Sequence, residues 1–286
     1  MKMKKVGVIV IGLALLVALA SCASTGAEAK PEVKNESSAA IEEGAVLVST
    51  ASELKKAVAV EGAKVVFAKD ITITTSADVD SLILKKNVTI DLNGFTLKMV
   101  DPAGKGVFLI YREFGSQTIK NGKIDASAGS AIRNSANGGS LILDGVTGIS
   151  GKYFMVQNAV GDVQFINCKI ANTNTPGKGG NATIYGNNVA AGSTYLFDGC
   201  ELENQKASVL YLNDMVEGSK STAVARNTTF KTNYGVCSCF TRFVDIAYEP
   251  TCVFDGVKVV GVTGGYSVAV PEGVTAKEMS YGDAKK

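Results

Sequence analysis

Apolar and polar residues alternate through Val88-Thr89-Ile90-Asp91, break at Asn93-Gly94, and alternate again to Leu97. Alternation with a period of two predicts strands that bury one face. Six later hexads repeat the pattern of Leu92–Leu97: Ile119–Ile124, Leu143–Gly148, Phe165–Ile170, Phe197–Leu202, Ala225–Phe230 and Phe254–Val259. They start 22 to 32 residues apart, which suits a coil of strands with connections of variable length. The third residue of each hexad is Gly or Asn: Gly94, Asn121, Gly145, Asn167, Gly199, Asn227 and Gly256. These two residues enter left-handed backbone at the lowest cost. Position three is therefore predicted to be a one-residue bend joining two strands. Positions one, four and six then face inward, and positions two and five face solvent. A lone Asn-Gly between alternating runs signals a hairpin. Because the Gly94 position recurs alone, the bend is predicted to be the corner of a coil.

A further strand lies between successive bends: Phe108–Tyr111, Phe154–Val156, Ala182–Tyr185, Val209–Leu212, Val236–Cys239 and Ser267–Val270. Two or three strands per turn, stacked in register, predict an all-β, parallel β-helix of about seven to nine rungs. It is expected over residues 64–275, with a C-terminal tail at 276–286. Ahead of it, Thr50 and Glu53 have the spacing of a capping box, and Leu54, Ala57 and Val58 share one helical face. A short helix within 49–63 is expected to lid the first rung, whose apolar cross-section would otherwise be exposed.

The chain opens with a basic segment, Met1 to Lys5, and an apolar run from Val6 to Ala20. The run is too short for a stable span and fits a secretion signal over 1–21. Leu19-Ala20-Ser21-Cys22 resembles the lipobox of bacterial lipoproteins. That resemblance implies cleavage before Cys22, a diacylglycerol on its sulfur and an acylated amine, a set of chains sufficient for stable anchoring. Ala23 in place of an aspartate then implies the outer membrane. Residues 22–48 are rich in Ala, Ser, Glu and Lys and are expected to form a disordered tether. The segment from about 64 to 272 resembles the right-handed parallel β-helix of the pectate-lyase-like superfamily. That superfold hosts lyases, hydrolases, adhesins and passive stalks, so the resemblance implies architecture rather than activity.

The chain holds 29 basic and 27 acidic residues. A near-neutral body argues against a nucleic-acid partner. Histidine is absent, which removes the commonest general base and a frequent metal ligand. Asp144, Asp198 and Asp255 occupy position two on alternate rungs, in the column Asn93, Lys120, Asp144, Ile166, Asp198, Arg226, Asp255. Rungs about 4.8 Å apart put these carboxylates roughly 9–10 Å from one another. That is too far to share one calcium ion at about 2.4 Å per ligand. The alternating signs suggest ion pairs instead, Lys120 with Asp144 and Arg226 between two aspartates. Arg242, Asp245 and Glu249 form a looser charged cluster. No catalytic residue, metal site or cofactor is assigned.

Cys168 and Cys200 share position four on adjacent rungs, as a disulfide or as stacked thiols. Cys237 and Cys239 lie two apart on one strand, and Cys252 in the next rung is a candidate disulfide partner. Tyr111, Tyr185 and Tyr211 lie on the second-strand face, where a row of rings could stack on a polysaccharide. The expectation is a monomeric, non-catalytic, lipid-anchored envelope protein that binds a polysaccharide or another envelope or host-surface component. A polysaccharide lyase or glycoside hydrolase is one alternative, and a structural spacer is the other.

Overall fold

The computed structural model describes residues 42–75, 80–104, 107–136, 138–158, 160–173, 182–188, 193–214, 221–232, 236–238, 251–260 and 279–280. At 187–188, 213–214, 237–238, 251–253 and 279–280 the description is of backbone only. The leader, Cys22, the tether up to residue 41, Cys239, Ser267–Val270 and the cluster of Arg242, Asp245 and Glu249 lie outside the described residues.

The protein is an all-β parallel solenoid of about six turns with one short helix. Each turn contributes three strands to two sheets, one of 16 strands and one of seven. The larger sheet holds the strands on both sides of the bend. Before it come Val88–Asp91, Asp162–Ile166, Thr194–Asp198, Thr222–Arg226 and Thr251–Asp255. After it come Thr96–Val100, Lys169–Asn172, Glu201–Asn204, Thr229–Thr232 and Lys258–Val260. Gln117–Ala126 and Ser140–Ser150 pass through the bend as single long strands. The smaller sheet stacks Leu82–Leu84, Phe108–Arg112, Ser130–Asn134, Met155–Gln157, Ala182–Asn188, Ser208–Asp214 and Cys237–Ser238.

All seven position-three residues have positive φ, from 47° at Asn227 to 80° at Gly94. The corner is thus written into residue type, as expected from the low left-handed cost of Gly and Asn. Positions one and six supply the core: Phe165, Phe197, Phe254, Leu202 and Phe230 are buried. Identical positions sit on top of each other, so the Phe165 and Phe197 rings stack at 5.3 Å between centroids. Each such ring removed from water contributes about 1.5–3 kcal/mol.

The first corner departs from the alignment. Asp91 pairs with Lys120, and Thr96 pairs with Lys123. Leu92–Phe95 therefore span a corner that Asn121 and Gly122 span in the next turn. The longer corner is a closed turn, with Asn93 and Gly94 both at positive φ and the Phe95 N–H donating to the Leu92 carbonyl at 2.7 Å. Leu92 is buried and fills the space over Gly122, where a Cβ would come within 2.4 Å of the Leu92 Cβ. The solvent-facing column is accordingly headed by Asp91, not Asn93.

At the N-terminal end, Ala51–Ala57 forms the single helix among the described residues, with both halves of the Thr50–Glu53 capping box in place. Leu54 is buried against the first rung. A strand not anticipated from the pattern, Val46–Val48, pairs in parallel with Ala63–Phe67. Near the C-terminus, Met279–Ser280 pairs antiparallel with Thr251–Asp255.

Candidate functional site

Along the smaller sheet, alternate residues face the core: Ile110, Ile132, Met155, Ile184 and Leu210 are buried. The residues that follow share one register column, Ile83, Tyr111, Arg133, Val156, Tyr185 and Tyr211; all are half-buried except Val156, which is buried. Tyr111, Tyr185 and Tyr211 therefore lie on one line along the solenoid. Steps of about 4.8 Å place the first and last roughly 19 Å apart.

Tyr185 and Tyr211 stack at 5.2 Å with planes 18° apart. Tyr153 packs against Tyr185 at 5.5 Å, tilted by 42°. The facing surfaces of the stacked rings cover each other. A saccharide lying along this pair meets ring edges and phenolic oxygens rather than those faces. The two residues between Tyr111 and Tyr185 are Arg133 and Val156. The Arg133 guanidinium lies 5.1 Å from the Tyr111 ring centre and 5.9 Å from that of Phe108. The Lys152 ammonium lies 5.5 Å from the Tyr153 ring centre. Tyr153, Arg133 and Lys152 complete the face and were not singled out by the sequence. Ser130–Asn134 has the same alternation as its neighbours, which was the available signal for Arg133.

A buried polar stack underlies one edge of this face. Arg112 is fully buried and donates to the Gln117 side-chain oxygen, the Gly115 carbonyl, Asn134 Oδ1 at 2.7 Å and the Gly138 carbonyl at 3.1 Å. Asn134 Nδ2 donates in turn to Gln157 Oε1 at 2.5 Å. Burial lowers the Arg112 pKa to about 10, so the guanidinium stays charged at neutral pH. It ties three successive strands by neutral acceptors and fixes the backbone beside Tyr111 and Arg133.

On the larger sheet, Asp144, Ile166, Asp198, Arg226 and Asp255 share one register column. Among the described residues no group of three or more His, Cys, Asp or Glu is placed to hold a metal ion. Lys120 pairs with Asp91 at 3.6 Å, on the turn before it, rather than with Asp144. Asp91 also accepts from Asn121 Nδ2 at 3.1 Å and from the Asn93 N–H at 2.8 Å. It braces the corner. No ion pair within 4.0 Å joins Arg226 to Asp198 or Asp255 among the described residues. Exposed pairs of this kind contribute about 0–1 kcal/mol.

Cys168 and Cys200 are buried free thiols. The neighbouring Cys200 thiol, and then burial, hold the Cys168 thiol above its ordinary pKa, and its Sγ–H donates to the Leu143 carbonyl oxygen, with Sγ 3.3 Å away. The Cys237 backbone belongs to the smaller sheet and that of Cys252 to the larger. No helix among the described residues is long and apolar enough to cross a membrane.

No protein-family model matches this chain, and neither a curated protein nor a solved structure matches it.

Proposed function

We propose that this is a lipid-anchored cell-envelope protein whose β-helix, of the right-handed pectate-lyase-like kind, is a non-catalytic polysaccharide-binding post. The observation that carries the binding reading is the in-register column holding Tyr111, Tyr185 and Tyr211, with Tyr185 and Tyr211 stacked at 5.2 Å. Amphipathic rings repeating at the rung spacing suit a linear polymer, whose own repeat runs along the same axis. Partly exposed tyrosines present apolar edges and a hydroxyl at little conformational cost. The Leu19–Cys22 lipobox supports anchoring in the outer membrane, with Cys22 as the acylated residue.

The test joins binding to turnover. Full-length protein in detergent is titrated with a panel of plant and bacterial polysaccharides, and released ends are assayed in the same samples. Binding without new reducing or unsaturated ends is expected. Release of such ends would establish the lyase or hydrolase alternative. For the anchor, Cys22→Ala protein is expected to leave the membrane fraction; unchanged partitioning would remove that part of the reading.

A further inference from the structure

We infer that the cap end of the solenoid seats on a phospholipid bilayer surface through Val46, Leu47 and Val60. The inference rests on the lipid-anchor reading above and adds which end of the body meets the membrane.

Three observations carry it. First, the lid over the first rung is incomplete. Leu54, Ala57 and Val58 are buried, but Val46, Leu47 and Val60 are 46%, 50% and 59% exposed. These three line a groove of about 670 Å³ together with Val48, Ala57 and Ala63. The end unit of a repeat array ordinarily turns a polar face outward, so this apolar one marks a contact surface. Second, exposed apolar side chains concentrate here. The other large ones exposed among the described residues, Val100, Phe114 and Val260, belong to later rungs. Third, the chain that carries the anchor enters at this end. Cys22 precedes Glu42 by 20 residues, a reach of at most about 70 Å, and Glu43 and Gly44 line the same groove. Val260 lies seven strand pairings beyond Thr72, roughly 34 Å along the solenoid.

Three aliphatic side chains do not hold a protein on a bilayer by themselves. Acylation changes this, because a tethered contact forms within one molecule at an effective concentration in the millimolar range. An anchored molecule always has the bilayer within reach of this end, whereas a second copy must be recruited. The rim of the groove mixes Glu43, Glu53 and Glu61 with Lys56 and Lys64. Mixed signs do not select an anionic headgroup, so the contact is apolar. It is also shallow. Val46–Val48 is the end strand of its sheet among the described residues, and unpaired strand-edge groups do not enter hydrocarbon. The three side chains therefore reach the boundary between headgroups and acyl chains, with the lysine stems lying along it.

The chain has no tryptophan, so a single introduced one reports on its own surroundings. Acylated full-length protein carrying Val60→Trp or, as the distant control, Val260→Trp is reconstituted in phosphatidylcholine vesicles with plain or dibrominated acyl chains. Val60→Trp is expected to emit to the blue of Val260→Trp. In brominated vesicles its emission should fall at least twofold, while that of Val260→Trp should not change. Adding phosphatidylglycerol should leave both results as they are. Combining Val46→Glu and Leu47→Glu with Val60→Trp should restore the emission while the protein still floats with the vesicles. If that combination lowers the melting temperature markedly, the comparison of Val60→Trp with Val260→Trp carries the test. Floating protein whose Val60→Trp emission is neither shifted nor quenched would overturn the seating and leave the anchor standing. A blue shift without quenching would assign the groove to a protein surface, such as a second copy, and overturn the bilayer. Quenching only with phosphatidylglycerol present would overturn the apolar contact. Protein that does not float would overturn the anchor and the seating together.

Discussion

Asn121, Asn167 and Asn227 each carry their side chain over the corner glycine of the following turn. A Cβ added at Gly145, Gly199 or Gly256 would lie 3.7, 2.6 or 2.9 Å from the asparagine Oδ1 beneath it. At Gly199 and Gly256 Asn and Gly therefore alternate because two side chains do not fit at consecutive corners, whereas at Gly145 a Cβ would make only ordinary contact. That only Gly and Asn occupy the column was legible from their shared tolerance of left-handed backbone. Why they alternate was not, because it depends on a contact between residues about 30 positions apart. Gly199→Ala meets both penalties, a φ of 63° and the 2.6 Å contact, and should cost about 1–3 kcal/mol. Gly94→Ala meets only the φ penalty, since nothing lies within 4 Å of its Cβ position, and should cost about 1 kcal/mol. Denaturant titration of the two variants checks the ranking; equal costs would contradict the contact. The first corner shows the opposite limit of a one-letter pattern. Leu92 matched position one by type, but it is an inserted residue filling the place vacated by Gly122.

At the scale of the element, the cap helix was legible because capping chemistry is local: Thr50 and Glu53 are three residues apart and satisfy each other's backbone donors. The Glu53 carboxylate accepts from the Ser49 N–H at 2.7 Å and the Thr50 N–H at 3.1 Å. The Ser49 bond is the main reason its pKa lies below the usual 4.5. A carboxyl whose pKa is depressed by folding stabilises the folded state above its unfolded value, and that contribution is lost as pH falls through the folded one. Amide exchange in Ala51–Ala57, corrected for intrinsic rate, should therefore accelerate as pH drops below 4.5. Thr50→Ala should produce the same loosening at neutral pH, at a cost of about 1 kcal/mol. Protection that is flat with pH in wild type would contradict the capping account. The strand Val46–Val48 was not legible. Three residues give too little alternation to see, and their pairing with Ala63–Phe67 is decided by the helix that brings them together.

For the whole molecule, stacking in register turns a periodic sequence into lines of like residues along one axis. Two such lines run on the outside. The acidic column of the larger sheet is interrupted by Ile166 and Arg226, and its spacing already argued against a shared metal. The tyrosine column of the smaller sheet has neighbouring rings in contact, and this was legible only in part. Tyr111, Tyr185 and Tyr211 were visible as strand residues, whereas their common line needed the register. Tyr153 and Lys152 join from the preceding connection, which no strand periodicity describes.

The tyrosine line is where binding must fail if the account holds. The most direct test is to titrate the full-length Tyr185→Ala/Tyr211→Ala double variant against the polysaccharide that wild type binds most tightly. The variant should lose at least tenfold in affinity while its melting temperature stays within a few degrees of wild type. Unchanged affinity in a folded variant would contradict the assignment of this face.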